Sequence, residues 1–136
     1  MNANRDNYFM RRALAVARRG ANRVSPNPMV GAVVVKEGRI ISRGWHAKGG
    51  GTHAEVDALS KAGGAAKGST LYVTLEPCNH HGKTPPCVEA VKKAGVSRVV
   101  VSVDDPNPNV SGKGNEALRS FGISVTSGVE SELGER

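Results

Sequence analysis

Three metal-ligating side chains and one carboxylate lie in a single segment of this chain. His53 begins a His-Ala-Glu triplet, and the two cysteines of the chain, Cys78 and Cys87, follow it, each directly after a proline. One imidazole and two thiolates form a zinc-ligand set, and a catalytic zinc site keeps its fourth position for water. Glu55 is the acid/base candidate, because its carboxylate can lie beside the metal without coordinating it and can carry a proton.

The combination is more specific than its parts. A His-x-Glu triplet alone occurs by chance, and two cysteines can be small buried hydrophobic residues or a disulfide, although nothing in the sequence indicates an oxidising compartment. A structural zinc module is a further alternative, but such sites are closed by four protein ligands and this sequence offers three obvious ones. The order His-x-Glu, Pro-Cys, second cysteine is typical of zinc-dependent deaminases.

Composition indicates which kinds of molecule the chain binds. A length of 136 residues predicts one domain, and the net charge of +7 indicates an anionic partner, either a nucleic acid or a phosphorylated small molecule. Aromatic residues are only 4% of the chain, so a stacking surface for single-stranded nucleic acid is poorly supported. A nucleic-acid-editing deaminase therefore stays as the alternative to an enzyme of small molecules.

The sequence predicts a cytoplasmic protein. No apolar run has the length that a membrane span requires, and the first residues are polar where a signal peptide is basic and then apolar. We therefore expect no membrane partner.

The elements that must position these residues follow from apolar periodicity. A helix is expected over residues 6–18, with Asp6 as its cap and Gly20 at its end, followed by a hairpin of strands 29–36 and 39–45 around Glu37 and Gly38. His53 and Glu55 are placed in the first turn of the next helix, capped by Thr52 or a neighbour. The remaining expected elements are strand 70–75, helix 85–94, strand 98–103, helix 114–121 and strand 123–127.

This order predicts an α/β protein. Strand 70–75 delivers Cys78 at its carboxyl end, where ligand sites in open α/β sheets usually lie, and Cys87 falls near a helix N-terminus, which favours its thiolate. The last two strands are joined through a helix and should be parallel.

The motifs resemble a known family, the deaminase of bacterial riboflavin biosynthesis (diaminohydroxyphosphoribosylaminopyrimidine deaminase), over nearly the whole chain. The matching runs are PNPMVG at 26–31, HAE at 53–55, TLEPCNHHGKTPPC at 74–87 and DPNPNVSGKG at 105–114. Eight residues separate Cys78 from Cys87, where cytidine and transfer-RNA adenosine deaminases generally have two. The longer loop argues against those relatives.

The resemblance implies a three-layer α/β/α, cytidine-deaminase-like fold with a central five-stranded mixed sheet, an N-terminal hairpin and parallel last strands. It implies Zn²⁺ as cofactor on His53, Cys78 and Cys87, with Glu55 as proton shuttle. It also implies a phosphorylated pyrimidine substrate, a homodimer or higher homo-oligomer, and no nucleic-acid partner. The substrate-facing residues that it implies are Asn27, His46, His80, Lys83, Asp105 and Asn107.

These substrate roles have plainer alternatives. Asn27 can shape a turn, His46 can end a strand, Asp105 and Asn107 can cap a helix, and Lys83 can be a solvated surface lysine.

We expect one zinc-dependent deaminase domain over residues 1–136, with polar ends at 1–5 and about 129–136. Many members of the family continue into a reductase domain that uses a nicotinamide cofactor. This sequence carries no dinucleotide-binding signature, so no reductase domain is expected within it.

Overall fold

The protein folds as a mixed sheet between two helical layers. The structure is a computed structural model that describes residues 3–21, 29–47, 54–75, 87–103 and 112–130. Its elements are α1 (Ala3–Ala21), β1 (Met29–Lys36), β2 (Arg39–Ala47), α2 (Ala54–Ala62), a short 3-10 helix (Gly63–Ala66), β3 (Thr70–Leu75), α3 (Cys87–Ala94), β4 (Arg98–Val103), α4 (Lys113–Ser120) and β5 (Ser124–Ser127). Each expected helix and strand is present, with boundaries shifted by a few residues at most.

The five strands lie in the order β2-β1-β3-β4-β5. Strand β1 is antiparallel to both of its neighbours, whereas β3 and β4, and β4 and β5, pair in parallel. Four strands therefore run in one direction and β1 runs against them. This arrangement confirms the predicted mixed sheet with an N-terminal hairpin and parallel last strands.

The turn between β1 and β2 forms as predicted. Glu37 and Gly38 both have positive φ, 53° and 79°. Positive φ at both central residues is the geometry of the two-residue hairpin turn whose twist matches that of paired strands, and glycine adopts it at no steric cost. The turn fixes the register of the hairpin, in which Lys36 pairs with Arg39.

Strand β1 is buried on both faces. Val30, Ala32 and Val34 lie in a core cluster with residues of α2, α3 and α4, while Val33 and Val35 lie in a second cluster with residues of α1. Helix α1 thus covers one face of the sheet and the other three α-helices cover the opposite face. A strand covered on both faces has no need of polar alternation, which explains the valine-rich run.

The prediction that Asp6 caps α1 is wrong. The helix begins at Ala3, and the buried carboxylate of Asp6 instead accepts hydrogen bonds from Tyr72 Oη at 2.7 Å and from Arg98 at 2.9 and 2.6 Å. Burial by itself raises the pKa of the Asp6 carboxyl, but the hydrogen bonds from Arg98 and Tyr72 leave that pKa below its ordinary value. This ionised group joins α1 to β3 and β4.

The first two residues of the expected polar end, at about 129–136, pack against the fold. The backbone N–H of Val129 donates to Val101 O at 3.3 Å, and Val129 packs on the core cluster beneath α1. Glu130 accepts a hydrogen bond from Ser102 through its carbonyl and forms an ion pair with Arg11 at 3.3 Å. Residues 129 and 130 therefore belong to the packed fold, and residues 131–136 lie outside the described residues.

Candidate active site

The chain segments that carry the predicted site residues attach to one end of the sheet. Strand β1 begins at Met29, which pairs with Ala47 at the end of β2, and β3 and β4 end together at the paired residues Leu75 and Val103. We call this the site end. The segments 22–28, 48–53, 76–86 and 104–111 all connect there, because β1 runs against the other strands. Topology alone therefore gathers residues that are far apart in sequence.

The structure describes some of the predicted site residues and not others. Glu55 is described in full, whereas His46 and Cys87 are described only by their backbone positions in β2 and at the start of α3. The other predicted residues lie outside the described residues: Asn27, His53, Cys78, His80, Lys83, Asp105 and Asn107. Their roles therefore stay predictions, and the described part of the fold supplies the frame that holds them.

Two predicted zinc ligands are chain neighbours of residues that share one core cluster. His53 directly precedes Ala54, and Cys87 directly precedes Val88. Ala54 and Val88 are both fully buried in the cluster between the sheet and its three covering helices. Consecutive Cα atoms are about 3.8 Å apart, so each predicted ligand is tied by one residue to the same packed region.

Glu55 is a buried carboxylate in the first turn of α2. Its exposed fraction is 3%, whereas glutamate is almost always a surface residue. The N-terminus of a helix stabilises negative charge, which offsets part of the cost of burying this carboxylate. Glu55 is buried rather than on the solvent face of α2, and it lies two residues after the predicted ligand His53 in the sequence.

Helix α2 is held tightly against β2. A Cβ atom built on Gly44 would lie 2.4 Å from Ala54 O and 2.6 Å from Ala58 N, so glycine is needed for the helix backbone to approach the strand. Beside it, Ser42 Oγ donates to Ala58 O at 2.7 Å. Lys61 Nζ donates to Arg43 O at 3.1 Å near the end of the helix. These contacts set the position of the helix that carries Glu55.

An open cavity of about 660 Å³ lies at the other end of the sheet, and it is not part of this site. Its lining includes the β1–β2 turn and the first residues of β3, β4 and β5. Two of its cations are already engaged, since Lys36 Nζ donates to Lys67 O at 2.8 Å and Arg98 binds Asp6. We call this end of the sheet, where β3, β4 and β5 begin, the far end.

Comparison with known proteins decides the family. Residues 3–103 match the model of the cytidine and deoxycytidylate deaminase zinc-binding region. The chain belongs to this family. It is 50% identical, over 97% of its length and 90% of the other protein, to the diaminohydroxyphosphoribosylamino-pyrimidine deaminase of Buchnera aphidicola subsp. Schizaphis graminum. The resemblance drawn from the motifs is thereby confirmed.

The chain is also similar to longer proteins. It is 55% identical to the riboflavin biosynthesis protein RibD of Escherichia coli, over 91% of this chain and 34% of that protein. Acinetobacter baumannii RibD superposes with a TM-score of 0.91 at 50% identity, over 98% of this chain and 37% of that one. The chain thus spans about a third of the length of these relatives, and the predicted cytidine-deaminase-like fold is confirmed.

The residues of this deaminase-family chain fit a zinc ion. Two thiolates and an imidazole are a usual donor set for zinc. The buried carboxylate of Glu55 belongs to the residue two positions after His53 in the sequence. Among the side chains that the structure describes, no three His, Cys, Asp or Glu groups come together to hold a metal. The motifs place the expected zinc ligands at His53, Cys78 and Cys87, whose side chains are not among those described.

Sequence reasoning missed the residues that hold α2, the helix of Glu55, against β2. In the sequence, Gly44 and Ser42 belong to an ordinary strand. A usable signal exists for Gly44, because a glycine inside a strand often marks a close approach of another backbone. No comparable signal singles out Ser42, since hydroxyls at such positions are equally common on exposed strand faces.

Proposed function

We propose that the chain catalyses the hydrolytic deamination of 2,5-diamino-6-(5-phosphoribosylamino)pyrimidin-4(3H)-one. The products are 5-amino-6-(5-phosphoribosylamino)uracil and ammonia. The observation that carries the proposal is the convergence of all four motif-bearing segments on the site end of the sheet, beside the buried carboxylate of Glu55. The substrate class is supported by the likeness to the Buchnera deaminase over 90% of its length.

Glu55 moves the protons of the reaction. Zinc held by His53, Cys78 and Cys87 supplies the Lewis acid that makes water nucleophilic near neutral pH. Glu55 accepts a proton from the attacking water as the oxygen bonds to the ring carbon that bears the exocyclic amino group. It then gives a proton to that nitrogen, the carbon–nitrogen bond breaks and ammonia leaves. Burial of the carboxylate excludes bulk water, which would otherwise exchange with this proton.

Substrate recognition is proposed for the segments around the site end. Asn27 precedes β1 by two residues and Asp105 follows β4 by two, and β1 and β4 lie on either side of β3 in the sheet. His46 lies one residue before the end of β2, paired with Val30. His80 and Lys83 lie between the two cysteines, and Asn107 follows Asp105 in the same motif. We assign the phosphate of the substrate to Lys83.

Ammonia release tests this function. The zinc-loaded chain is incubated with the phosphoribosylaminopyrimidine substrate, and ammonia is measured by a coupled assay with Glu55→Gln as the matched control. We expect release by the wild type and a loss of several orders of magnitude in the variant, because the amide keeps the shape of the side chain but cannot accept the proton. Ammonia release from single-stranded DNA or RNA, and none from the small substrate, would establish the nucleic-acid-editing alternative instead.

Oligomeric state and compartment stay predictions. A homodimer or higher homo-oligomer is supported by the partly exposed apolar residues Ile41 and Trp45 on β2, each 38% exposed. Sedimentation velocity at micromolar concentration checks it, and a purely monomeric chain contradicts it. Within the described ranges, no helix has both the length and the apolar character needed to cross a bilayer. The cytoplasmic location remains an expectation from the sequence.

A further inference from the structure

The sheet is divided at its site end between β1 and β3. The backbone pairing of these strands runs from Val35 with Thr70 to Ala32 with Val73 and stops there within the described residues. On either side the pairing continues, from Met29 with Ala47 in the hairpin to Leu75 with Val103 in the parallel half. The described pairing of β1 with β3 therefore ends before either strand does.

A threonine side chain occupies the point of separation. The next pair in register would be Gly31 with Thr74, but the N–H of Gly31 donates instead to Thr74 Oγ1, at 3.1 Å and in a buried position. The hydroxyl thus replaces a carbonyl of the partner strand as acceptor. It satisfies the buried N–H of Gly31 at the point where the backbone pairing ends.

Gly31 is restrained on its other side as well. A Cβ atom built on Gly31 would lie 2.2 Å from Ala13 O and 2.8 Å from Ala17 N, so the strand backbone lies directly against α1. Thr74 is itself only 6% exposed. The start of β1 is therefore fixed between the backbone of a helix and the hydroxyl of β3, and the width of the division is well defined.

Two segments of the candidate site attach to the strand ends on either side of this division. Asn27 lies two residues before Met29, on the β1 side, and Cys78 lies three residues after Leu75, on the β3 side. Ligands of open α/β sheets usually bind outside the carboxyl ends of the strands, and β3 presents its carboxyl end here. A change in the width of this division would therefore alter the distance between a predicted substrate residue and a predicted metal ligand.

We propose that Thr74 is a positioning residue of the deaminase site, whose hydroxyl sets the distance between the start of β1 and the end of β3, to which the segments that carry Asn27 and Cys78 attach. The inference rests on the proposed function. Without the hydroxyl, the buried N–H of Gly31 has no acceptor. Strand β1 must then move towards β3, or a water molecule must enter, to supply one. Either change displaces the site segments without removing any group that touches metal or substrate.

Two variants of Thr74 and one of Tyr72 test the proposal. Thr74→Val keeps the shape and removes the acceptor, whereas Thr74→Ser keeps the acceptor. Tyr72→Phe is the matched control, because it removes another buried hydroxyl of β3, one that donates to Asp6 at 2.7 Å on α1. Each protein is compared in zinc affinity, by competition with a chromophoric chelator, in kcat and KM, and in thermal stability.

We expect Thr74→Val to weaken zinc binding and lower kcat by about 10- to 100-fold, the range seen when groups supporting metal ligands are removed. Thr74→Ser should restore both values. Tyr72→Phe should lose stability but keep zinc affinity and kcat. The proposal is overturned if Thr74→Val retains both values, or if it loses no more of either than Tyr72→Phe does at matched folded fraction.

The zinc measurement separates this proposal from the proposed function. If the wild type binds zinc but releases no ammonia from the riboflavin intermediate, the substrate assignment fails. The zinc affinities of the three variants still decide the role of Thr74 in that case, because they require no substrate.

Discussion

Gly44→Ala should lower both the free energy of unfolding and kcat, and the two losses can be measured separately. The new Cβ atom of Gly44→Ala would lie 2.4 Å from Ala54 O and 2.6 Å from Ala58 N, both backbone atoms of α2. Comfortable contacts between such atoms are roughly 3.5 Å, so the helix must move away from β2 by about 1 Å. Rotation of a side chain cannot relieve the contact, because the atoms involved belong to the backbone.

The displacement has two consequences, one for stability and one for turnover. Overpacking of this kind costs about 1–3 kcal/mol of the free energy of unfolding, and it also strains the 2.7 Å bond from Ser42 Oγ to Ala58 O. Glu55 moves with α2, and a misplacement of about 1 Å can lower turnover by on the order of 100-fold. We therefore expect kcat to fall far more than KM.

The assay compares kcat for ammonia release with urea unfolding midpoints for wild type, Gly44→Ala and Gly64→Ala. Gly64 is the matched control, because a Cβ atom there meets nothing within 4 Å. Its alanine variant should keep both activity and stability. If Gly44→Ala is destabilised but keeps kcat within about threefold, less than 1 kcal/mol of barrier, the position of α2 does not limit proton transfer and the reasoning is wrong.

Three further predictions concern the metal, the phosphate and the far end of the sheet. Glu55→Gln should keep about one zinc per chain, as measured by metal analysis, whereas His53→Ala should lose it; an empty Glu55→Gln site would make Glu55 a ligand. Lys83→Ala should raise KM for the phosphorylated substrate by about tenfold or more, consistent with roughly 1.5–3 kcal/mol for a charge-assisted contact, and barely affect a dephosphorylated analogue. An equal loss on both substrates would place the phosphate elsewhere. Asp6→Asn should lower the urea midpoint near neutral pH and leave kcat unchanged. Because the pKa of Asp6 is lowered by folding, its contribution is present above the unfolded value near 3.8 and is lost as the pH falls through the folded pKa. The difference from wild type should therefore shrink in acid, and a difference independent of pH would contradict the ionised pair.

Much of the fold was readable because burial leaves a pattern in the sequence. The valine run of β1 indicated a strand covered on both faces, and Glu37 with Gly38 indicated the turn. The error at Asp6 has the same origin, since an acidic residue before an apolar periodic run is also what a helix cap looks like. Only the fold shows that this carboxylate is hydrogen-bonded to Arg98, which is distant in sequence.

The candidate site was readable for a different reason. Metal ligands and proton shuttles are chosen for chemistry that few residue types can supply, so His53, Glu55 and the two cysteines are conspicuous in the sequence. The residues that hold the surrounding helices and strands in place are needed for their size and contacts instead. Gly44 matters because it lacks a side chain, and Thr74 because its hydroxyl meets Gly31. Such requirements depend on which backbone lies opposite, which spacing along the chain does not reveal.

The described contacts place several ties at the far end of the sheet, away from the chemistry. Asp6 joins α1 to β3 and β4 there, and Lys36 Nζ reaches Lys67 O at 2.8 Å. The backbone N–H of Ser97 donates to Ser69 O at 2.9 Å where β3 and β4 begin. At the site end the N–H of Gly31 on β1 donates to the side-chain hydroxyl of Thr74 on β3. The fold is thus tied by charged and backbone contacts at the far end, which leaves the site end, where the segments that carry the predicted ligands attach, as the place at which sequence changes can serve the chemistry.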